Sequence, residues 1–388
     1  MSLKVDQGVE PAGAERPVES AVSRTHVLFL IPNMRSGGAQ RVVSLLIKHL
    51  DRRRFSPGLV VVDGRDPVFS LPADVPVIDL KHVKVRSAIP RLIRLIRKER
   101  PDVVFSTLDH LSIALSPTRW LWPRGTRFVV RPAALPSHLQ RDPATPGWAT
   151  FLSRWFYPKK DLVIFQSAAL ETDFRKFMGW KGRSGRVIVN PVDIRQIRAA
   201  AEEPAADLPD DPNAIRIVGV GRVEWQKGFD IAIEALAKLR RRDIVLTILG
   251  EGSAVTELEA KAAELGVGDR VRFVGFRANP YPTLARADAL LLSSRYEGFP
   301  NVMLEALACG TPVVSTPVDG VQAILGELEG CIVADGFGAE DLAVALDRFA
   351  SAPRRRVGSG AVDRFDTATV VRQYEAALAG EVEATASA

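Results

Sequence analysis

Four charged residues stand out by type and spacing. Glu297 and Glu305 are separated by seven residues within EGFPNVMLEALACGTPVV, and Arg222 and Lys227 lie within GRVEWQKGFD. Two carboxylates can grasp hydroxyl groups. An arginine fork and a lysine point charge together suit a diphosphate. A site that offers all four suits a sugar nucleotide. The same residues would also serve an ordinary strand-to-helix turn with solvated charges, and local pattern alone leaves both readings open.

The segments around these residues place them. In the stretch 288–319 an apolar run, Ala289–Leu292, ends in two serines and a loop carrying Glu297, Gly298, Phe299 and Pro300. This reads as a buried parallel strand stopping at its carboxyl end. Asn301 is a good N-cap type, so a helix is expected to start there, with Glu305 in its first turn or just past it. Gly310 and Pro312 end that helix, and the apolar run Val313–Ser315 follows. A helix amino terminus with exposed amides attracts phosphate. Arg222 and Lys227 follow the apolar run 215–220 in the same way, at the mouth of a strand and before a helix. Gly219 and Gly221 give G-x-G, but the third glycine of a dinucleotide fingerprint is missing.

Taken in order, the chain alternates strands and helices. Strands are expected at 26–31, 58–62, 75–80, 103–106, 127–130, 161–166 and 186–189, with helices at 39–50, 89–100, from 110, and Ala168–Met178. Asn190-Pro191-Val192-Asp193 breaks the pattern with turn chemistry. The alternation then restarts, with strands at 215–220, 244–249, 271–274, 288–292, 313–315 and 331–333, and helices at 231–240 and 254–265 among others. A final amphipathic helix covers about 369–378 and needs an apolar surface to pack on. The fold class is therefore α/β: two doubly wound, Rossmann-like halves with parallel sheets, joined near 190–193, with the ligand cleft between them.

Other features bound the function. Ser36-Gly37-Gly38-Ala39-Gln40-Arg41 follows the first strand, where adjacent glycines let a ligand approach the backbone. Asp109, His110, Arg131 and His138 lie at or after strand ends of the first half and could face the cleft. No Asp-x-Asp occurs, so a metal held by two closely spaced aspartates is not indicated, nor is any His/Cys cluster of metal-ligand spacing. Cys309 and Cys331 sit in apolar surroundings and read as reduced core residues, as in a cytosolic protein. Residues 1–23 are polar and rich in Gly, Pro and Glu, and are expected to form a disordered tail. The net charge of +6 fits anionic partners without choosing among them. Helix 89–100 sets Ile89, Leu92, Ile93 and Ile96 against Arg91, Arg94, Arg97 and Lys98. Trp148, Phe151, Trp155, Phe156 and Tyr157 cluster beside Arg154, Lys159 and Lys160. Together they admit docking on an anionic membrane, or a solvated helix beside an aromatic core. A nucleic-acid module with interleaved aromatic and basic residues is absent.

The motifs resemble those of the retaining glycosyltransferases of family 4, which adopt the GT-B fold of two facing Rossmann-like domains. The matching residues are EGFPNVMLEALACGTPVV, SGGAQRV, NPVD at the hinge and GRVEWQKGFD, in the family's order from about residue 25 to 378. The resemblance implies residues 24–192 as an acceptor-binding domain, 193–366 as a nucleotide-sugar-binding domain, and 367–388 as a helix crossing back to the first domain, then a tail. It implies a retaining, metal-independent transfer of a hexose or N-acetylhexosamine, UDP-sugars leading, to a glycan or lipid-linked acceptor. No cofactor is implied beyond the nucleotide-sugar co-substrate. The setting would be cytoplasmic, on the cytosolic face of the plasma membrane if the membrane reading holds.

By the same resemblance Arg222 and Lys227 hold the donor diphosphate, Glu305 takes the ribose hydroxyls, and Glu297 the hydroxyls of the transferred sugar. Backbone amides over Gly298, Phe299, Pro300, Asn301 and Val302 line the sugar and phosphates, and Phe276 cradles the base. Gly37, Gly38 and Arg41 form a phosphate or acceptor loop, with His110 and Arg131 on the acceptor side. The chain departs from many relatives by carrying Arg131-Pro132-Ala133 after the strand that ends at Val130. A sugar-nucleotide epimerase and a catalytically silent subunit of a glycan assembly complex are the alternatives.

Overall fold

The computed structural model describes residues 24–381, apart from 36, 83, 134, 140–160, 183 and 206. The tail expected at 1–23 and the aromatic cluster from Trp148 to Lys160 lie outside the described residues. So does the side chain of His138.

Two parallel sheets carry the chain. The first contains β1 (Thr25–Asn33), β2 (Phe55–Asp63), β3 (Val77–Asp79), β4 (Val103–Thr107), β5 (Arg127–Arg131), β6 (Leu162–Phe165) and β7 (Gly185–Val187), in the order β3-β2-β1-β4-β5-β6-β7. The second contains β8 (Ile215–Val220), β9 (Ile244–Leu249), β10 (Val271–Gly275), β11 (Ala289–Leu292), β12 (Val313–Ser315) and β13 (Ile332–Val333), in the order β10-β9-β8-β11-β12-β13. The central strands are apolar on both faces because helices cover both. Val27, Phe29 and Ile31 enter one core layer, while Leu28 and Leu30 enter the other. Each sheet reverses its strand order once, between β1 and β4 and between β8 and β11. Such reversal points open a crevice beyond the strand carboxyl ends.

The two largest boundary differences from the sequence reading have identifiable reasons. β2 begins three residues before the expected 58 and runs through Pro57, which pairs with Val27. The Leu59 amide bonds Pro76 on the β3 side, and residues two apart point the same way, so the amide that Pro57 lacks would face a stretch that β3 does not reach. The helix expected at 89–100 runs over Val85–Glu99, its first turn fixed by Ser87 bonding the Lys84 carbonyl through both its amide and its hydroxyl. Pro90 sits within it on the exposed side, beside exposed Arg86.

The helix Thr367–Ala379 packs on the first sheet, not on the second that precedes it. Val370, Val371, Tyr374 and Leu378 enter the core layer of Phe29 and Phe105. Arg127 donates to the carbonyls of Leu378 and Ala377, closing the helix carboxyl end. Where this segment returns, Val192 forms a parallel bridge with Asp366, and the Val192 amide bonds the Phe365 carbonyl at 2.9 Å. The two crossings between the sheets therefore lie side by side.

Candidate active site

The β8 loop carries Arg222 and Lys227, and the β11 loop carries Glu297. Both leave the second sheet at its reversal point, and they are bonded together. Lys227 Nζ donates to Glu297 Oε1 at 2.6 Å, and Ser294 Oγ donates to the same oxygen at 2.7 Å. Ser293 Oγ donates to the Lys227 carbonyl, and the Gln226 amide group to the Tyr296 carbonyl. Arg295 grips Asp230 through two bonds of 2.8 and 2.6 Å, and this holds the Asp230 carboxyl below its ordinary range against the opposing effect of burial. The loops approach so closely that Gly228 is required. Its φ is 63°, and a Cβ there would meet the Ser293 carbonyl oxygen at 2.1 Å.

Glu297 is 6 % exposed, so its charge is matched by Lys227 and not by bulk water. Arg222 is exposed, makes a single 3.5 Å contact with Gln226, and forms no ion pair among the described residues. Phe276 follows β10 and is 42 % exposed. Gly298 and Pro300 are buried, and Phe299 meets Phe365 with the rings tilted and their centroids 6.3 Å apart, so these three shape the loop. Val302 lies in the first turn of the helix Asn301–Ala308.

Asn301 was expected as an N-cap. The structure corrects this: Pro300 holds the cap position, no side chain caps the helix, and Asn301 is its first residue. Its amide group finds partners outside the helix. Asn190 Nδ2 donates to Asn301 Oδ1 at 2.6 Å, and Asn301 Nδ2 donates to the Gly38 carbonyl at 3.2 Å. Asn190 in turn accepts from Arg131. A Cβ on Gly38 would meet the Asn301 amide nitrogen at 2.6 Å, so glycine permits this approach. Gly37 precedes the helix Gly38–His49 as its cap residue.

Arg131 is 3 % exposed. Besides Asn190 it bonds the Tyr374 hydroxyl at 3.2 Å, and so ties β5, the hinge and the final helix together. Its side chain is a strut beside the cleft. His110 stands exposed in the first turn of the helix Asp109–Leu115, after β4 and next to Leu108, whose φ of 74° is unusual for a branched residue. His110 and the Gly37–Gly38 loop thus share the reversal point of the first sheet.

Glu305 is 7 % exposed and faces the first domain. Arg41 Nη1 donates to Glu305 Oε1 at 2.5 Å and also to the Tyr281 hydroxyl. Burial, then the Glu305 charge, push the Tyr281 phenol above its ordinary value, so it stays protonated. Sequence reasoning missed Tyr281, Ser294 and Asn190 as site residues. Asn190 lay in the NPVD turn already singled out. Tyr281 stands between two prolines, which obscured the short helix Tyr281–Arg286.

Two facing parallel-sheet domains, with charged loops meeting at the reversal point of the second, define the GT-B class of glycosyltransferases. The sequence places the chain within that class. Residues 36–196 match the model described as Glycosyltransferase Family 4, and residues 202–361 that described as Glycosyl transferases group 1. The chain belongs to this glycosyltransferase family. It is 32 % identical over 311 residues to the glycogen synthase of Mycobacterium tuberculosis, covering 74 % of this chain and 71 % of that one. It is 29 % identical over 314 residues to the N-acetylgalactosamine-N,N'-diacetylbacillosaminyl-diphospho-undecaprenol 4-alpha-N-acetylgalactosaminyltransferase of Campylobacter jejuni, covering 78 % of this chain and 83 % of that one. Among solved structures, Anabaena HepE in complex with UDP and glucose superposes with a TM-score of 0.72 at 21 % identity, covering 92 % of this chain and all of that one. That likeness shows the shared fold.

Proposed function

We propose that the chain transfers a hexose or N-acetylhexosamine from a nucleotide-sugar, a UDP-sugar first among them, to a glycan or lipid-linked acceptor in polysaccharide, lipopolysaccharide or glycolipid synthesis. One observation carries this reading. The loop of Arg222 and Lys227 and the loop of Glu297 meet at the reversal point of the second sheet, locked by the 2.6 Å Lys227–Glu297 contact. The names of similar proteins support the substrate class. The Campylobacter enzyme is named for a diphospho-undecaprenol acceptor, and the Anabaena protein was solved with UDP and glucose.

In this reading residues 193–366 hold the donor and residues 24–192 the acceptor. Arg222 and Lys227 meet the diphosphate. A lysine has three donors, so Lys227 can keep Glu297 and still reach a phosphate oxygen. Phe276 lies against the base, Glu305 takes the ribose hydroxyls, and Glu297 those of the sugar. Backbone amides from Gly298 to Val302 complete the cradle. The Gly37–Gly38 loop and His110 face the acceptor.

The bond from the anomeric carbon to the phosphate oxygen breaks as the acceptor oxygen bonds the same carbon from the same face. The acceptor proton passes to the departing phosphate oxygen, and the configuration is retained. Charge then grows on the diphosphate, where fixed cations and the helix start stabilise it without need of a metal. In this reading Glu297 orients the sugar and does not attack, its Oε1 accepting from Lys227 and Ser294. Trapping of a glycosyl–Glu297 adduct would contradict this assignment.

The first domain also carries a surface suited to an anionic membrane. Arg94, Arg97, Lys98 and Arg100 are exposed at the end of the helix Val85–Glu99, and Trp120, 81 % exposed, projects beside Arg97 and Arg100. An exposed indole among cations suits the lipid headgroup region. No helix among the described residues is long and apolar enough to cross a membrane.

A thermal-shift screen of UDP-, GDP- and ADP-sugars tests the donor assignment. A ligand at 100 times its Kd should add about 2.7 kcal/mol of stability. Failure of all three to stabilise the protein would refute it.

A further inference from the structure

Arg41 starts in the first domain and ends in the second. Its guanidinium donates to Glu305 Oε1 and to Tyr281, and lies 5.6 Å from the centre of the Tyr281 ring and 5.8 Å from that of Phe69. Glu305 is the carboxylate assigned above to the ribose. A vicinal diol engages a carboxylate best through both oxygens, one hydroxyl to each. In this structure one of those oxygens is already held by a charge-assisted bond, the stronger kind.

The two partners are not equally committed. The Arg41 side chain is 27 % exposed, whereas that of Glu305 is 10 % exposed. A long cation with an opening to water can swing out and be hydrated as another group takes its place. A buried carboxylate cannot lose its partner without a replacement. The geometry points to Arg41 as an interdomain latch: in the arrangement seen here it neutralises Glu305 and ties the domains together, and it yields the carboxylate to the ribose when a donor enters. The inference rests on the donor reading of Glu305. A second bridge, from Arg131 through Asn190 and Asn301 to Gly38, runs along the hinge without Glu305 and keeps the domains in register while the latch exchanges.

The latch predicts a sign. If Arg41 competes with ribose, removing it tightens nucleotide binding. If Arg41 contacts the nucleotide or orients Glu305 for it, removing it weakens binding. The test is calorimetric titration of the full chain and of Arg41→Met with UDP, GDP and ADP. The methionine keeps an unbranched stem without the charge. For the nucleotide that wild type binds, affinity should rise roughly tenfold in Arg41→Met, the scale of one charged hydrogen bond. In a Glu305→Gln background the Arg41→Met change should do almost nothing, because the contested charge is gone. Tyr281→Phe takes away one partner of Arg41 and leaves both charges, so it should move affinity in the same direction by a smaller factor. Unchanged or weaker binding by Arg41→Met, when wild type binds, overturns the latch and leaves the donor reading standing. Absence of binding by wild type to all three nucleotides overturns the donor reading, and the latch with it.

Discussion

The ammonium of Lys227 lies 2.6 Å from the carboxylate of Glu297, joining two loops seventy positions apart in the chain. Neither side chain is open to bulk water: 17 % of the lysine and 8 % of the glutamate are exposed. The pair therefore fixes the shape of the site and leaves two ammonium protons to serve a phosphate.

Lys227→Met should act on both stability and rate. Glu297 would be left buried with only Ser294, so stability should fall by about 1–3 kcal/mol, measured by urea denaturation. Loss of a fixed donor to the leaving group should lower kcat by roughly a hundredfold to a thousandfold. Undiminished turnover would remove Lys227 from the mechanism.

Gly38→Ala should separate closure from donor binding. The new methyl would meet Asn301 at the point of interdomain contact. Transfer rate should fall because the acceptor side no longer seats against the second domain. Affinity for the nucleotide should not fall, because the donor groups lie in the second domain and any loosening of Arg41 from Glu305 would only free the carboxylate. Slowed transfer with undiminished calorimetric affinity is the expected result. Equal loss of both would place Gly38 on the donor.

Burial, reinforced by the nearby Glu305 charge, pushes the Cys309 thiol up to about 12. A raised value in the folded state means that stability is whole below the unfolded thiol's pKa, near 9, and is lost progressively as pH rises from there to about 12. Unfolding by denaturant should show this alkaline decline, and Cys309→Ala should make it shallower, leaving the share of Cys331, Tyr281 and Tyr374, which burial also raises. An equally steep decline in the variant would show that Cys309 is not its source.

Trp120→Ala combined with Arg97→Glu should weaken sedimentation with vesicles containing anionic phospholipid. It should leave neutral vesicles, to which little protein binds, unaffected. Each basic residue near such a surface contributes about 1 kcal/mol, so the charge reversal alone should be visible and should fade with salt. Equal sedimentation of variant and wild type would refute the surface.

Much of this site is visible in the sequence because its chemistry sits on the loops that end apolar runs. Ala289–Leu292 ends at Ser293, so Glu297 had to lie at a strand mouth, and 215–220 does the same for Arg222. Contacts across the domains are not visible that way. Asn301 reads as a cap from its neighbours alone, and only the approach of Gly38 and Asn190 gives its amide better partners. Arg131 reads as an acceptor-side cation, and only the returning helix with Tyr374 makes it a strut. Pro57 and Pro90 obscured element boundaries because their tolerance depends on which side of a strand or helix is open.

The central claim is that the rim of the second sheet binds the donor diphosphate through Arg222. Calorimetric titration of wild type and Arg222→Ala with UDP, GDP and ADP tests it most directly. The account predicts that wild type binds at least one of these nucleotides and that Arg222→Ala binds it at least tenfold more weakly. Equal affinity in the two proteins would contradict it.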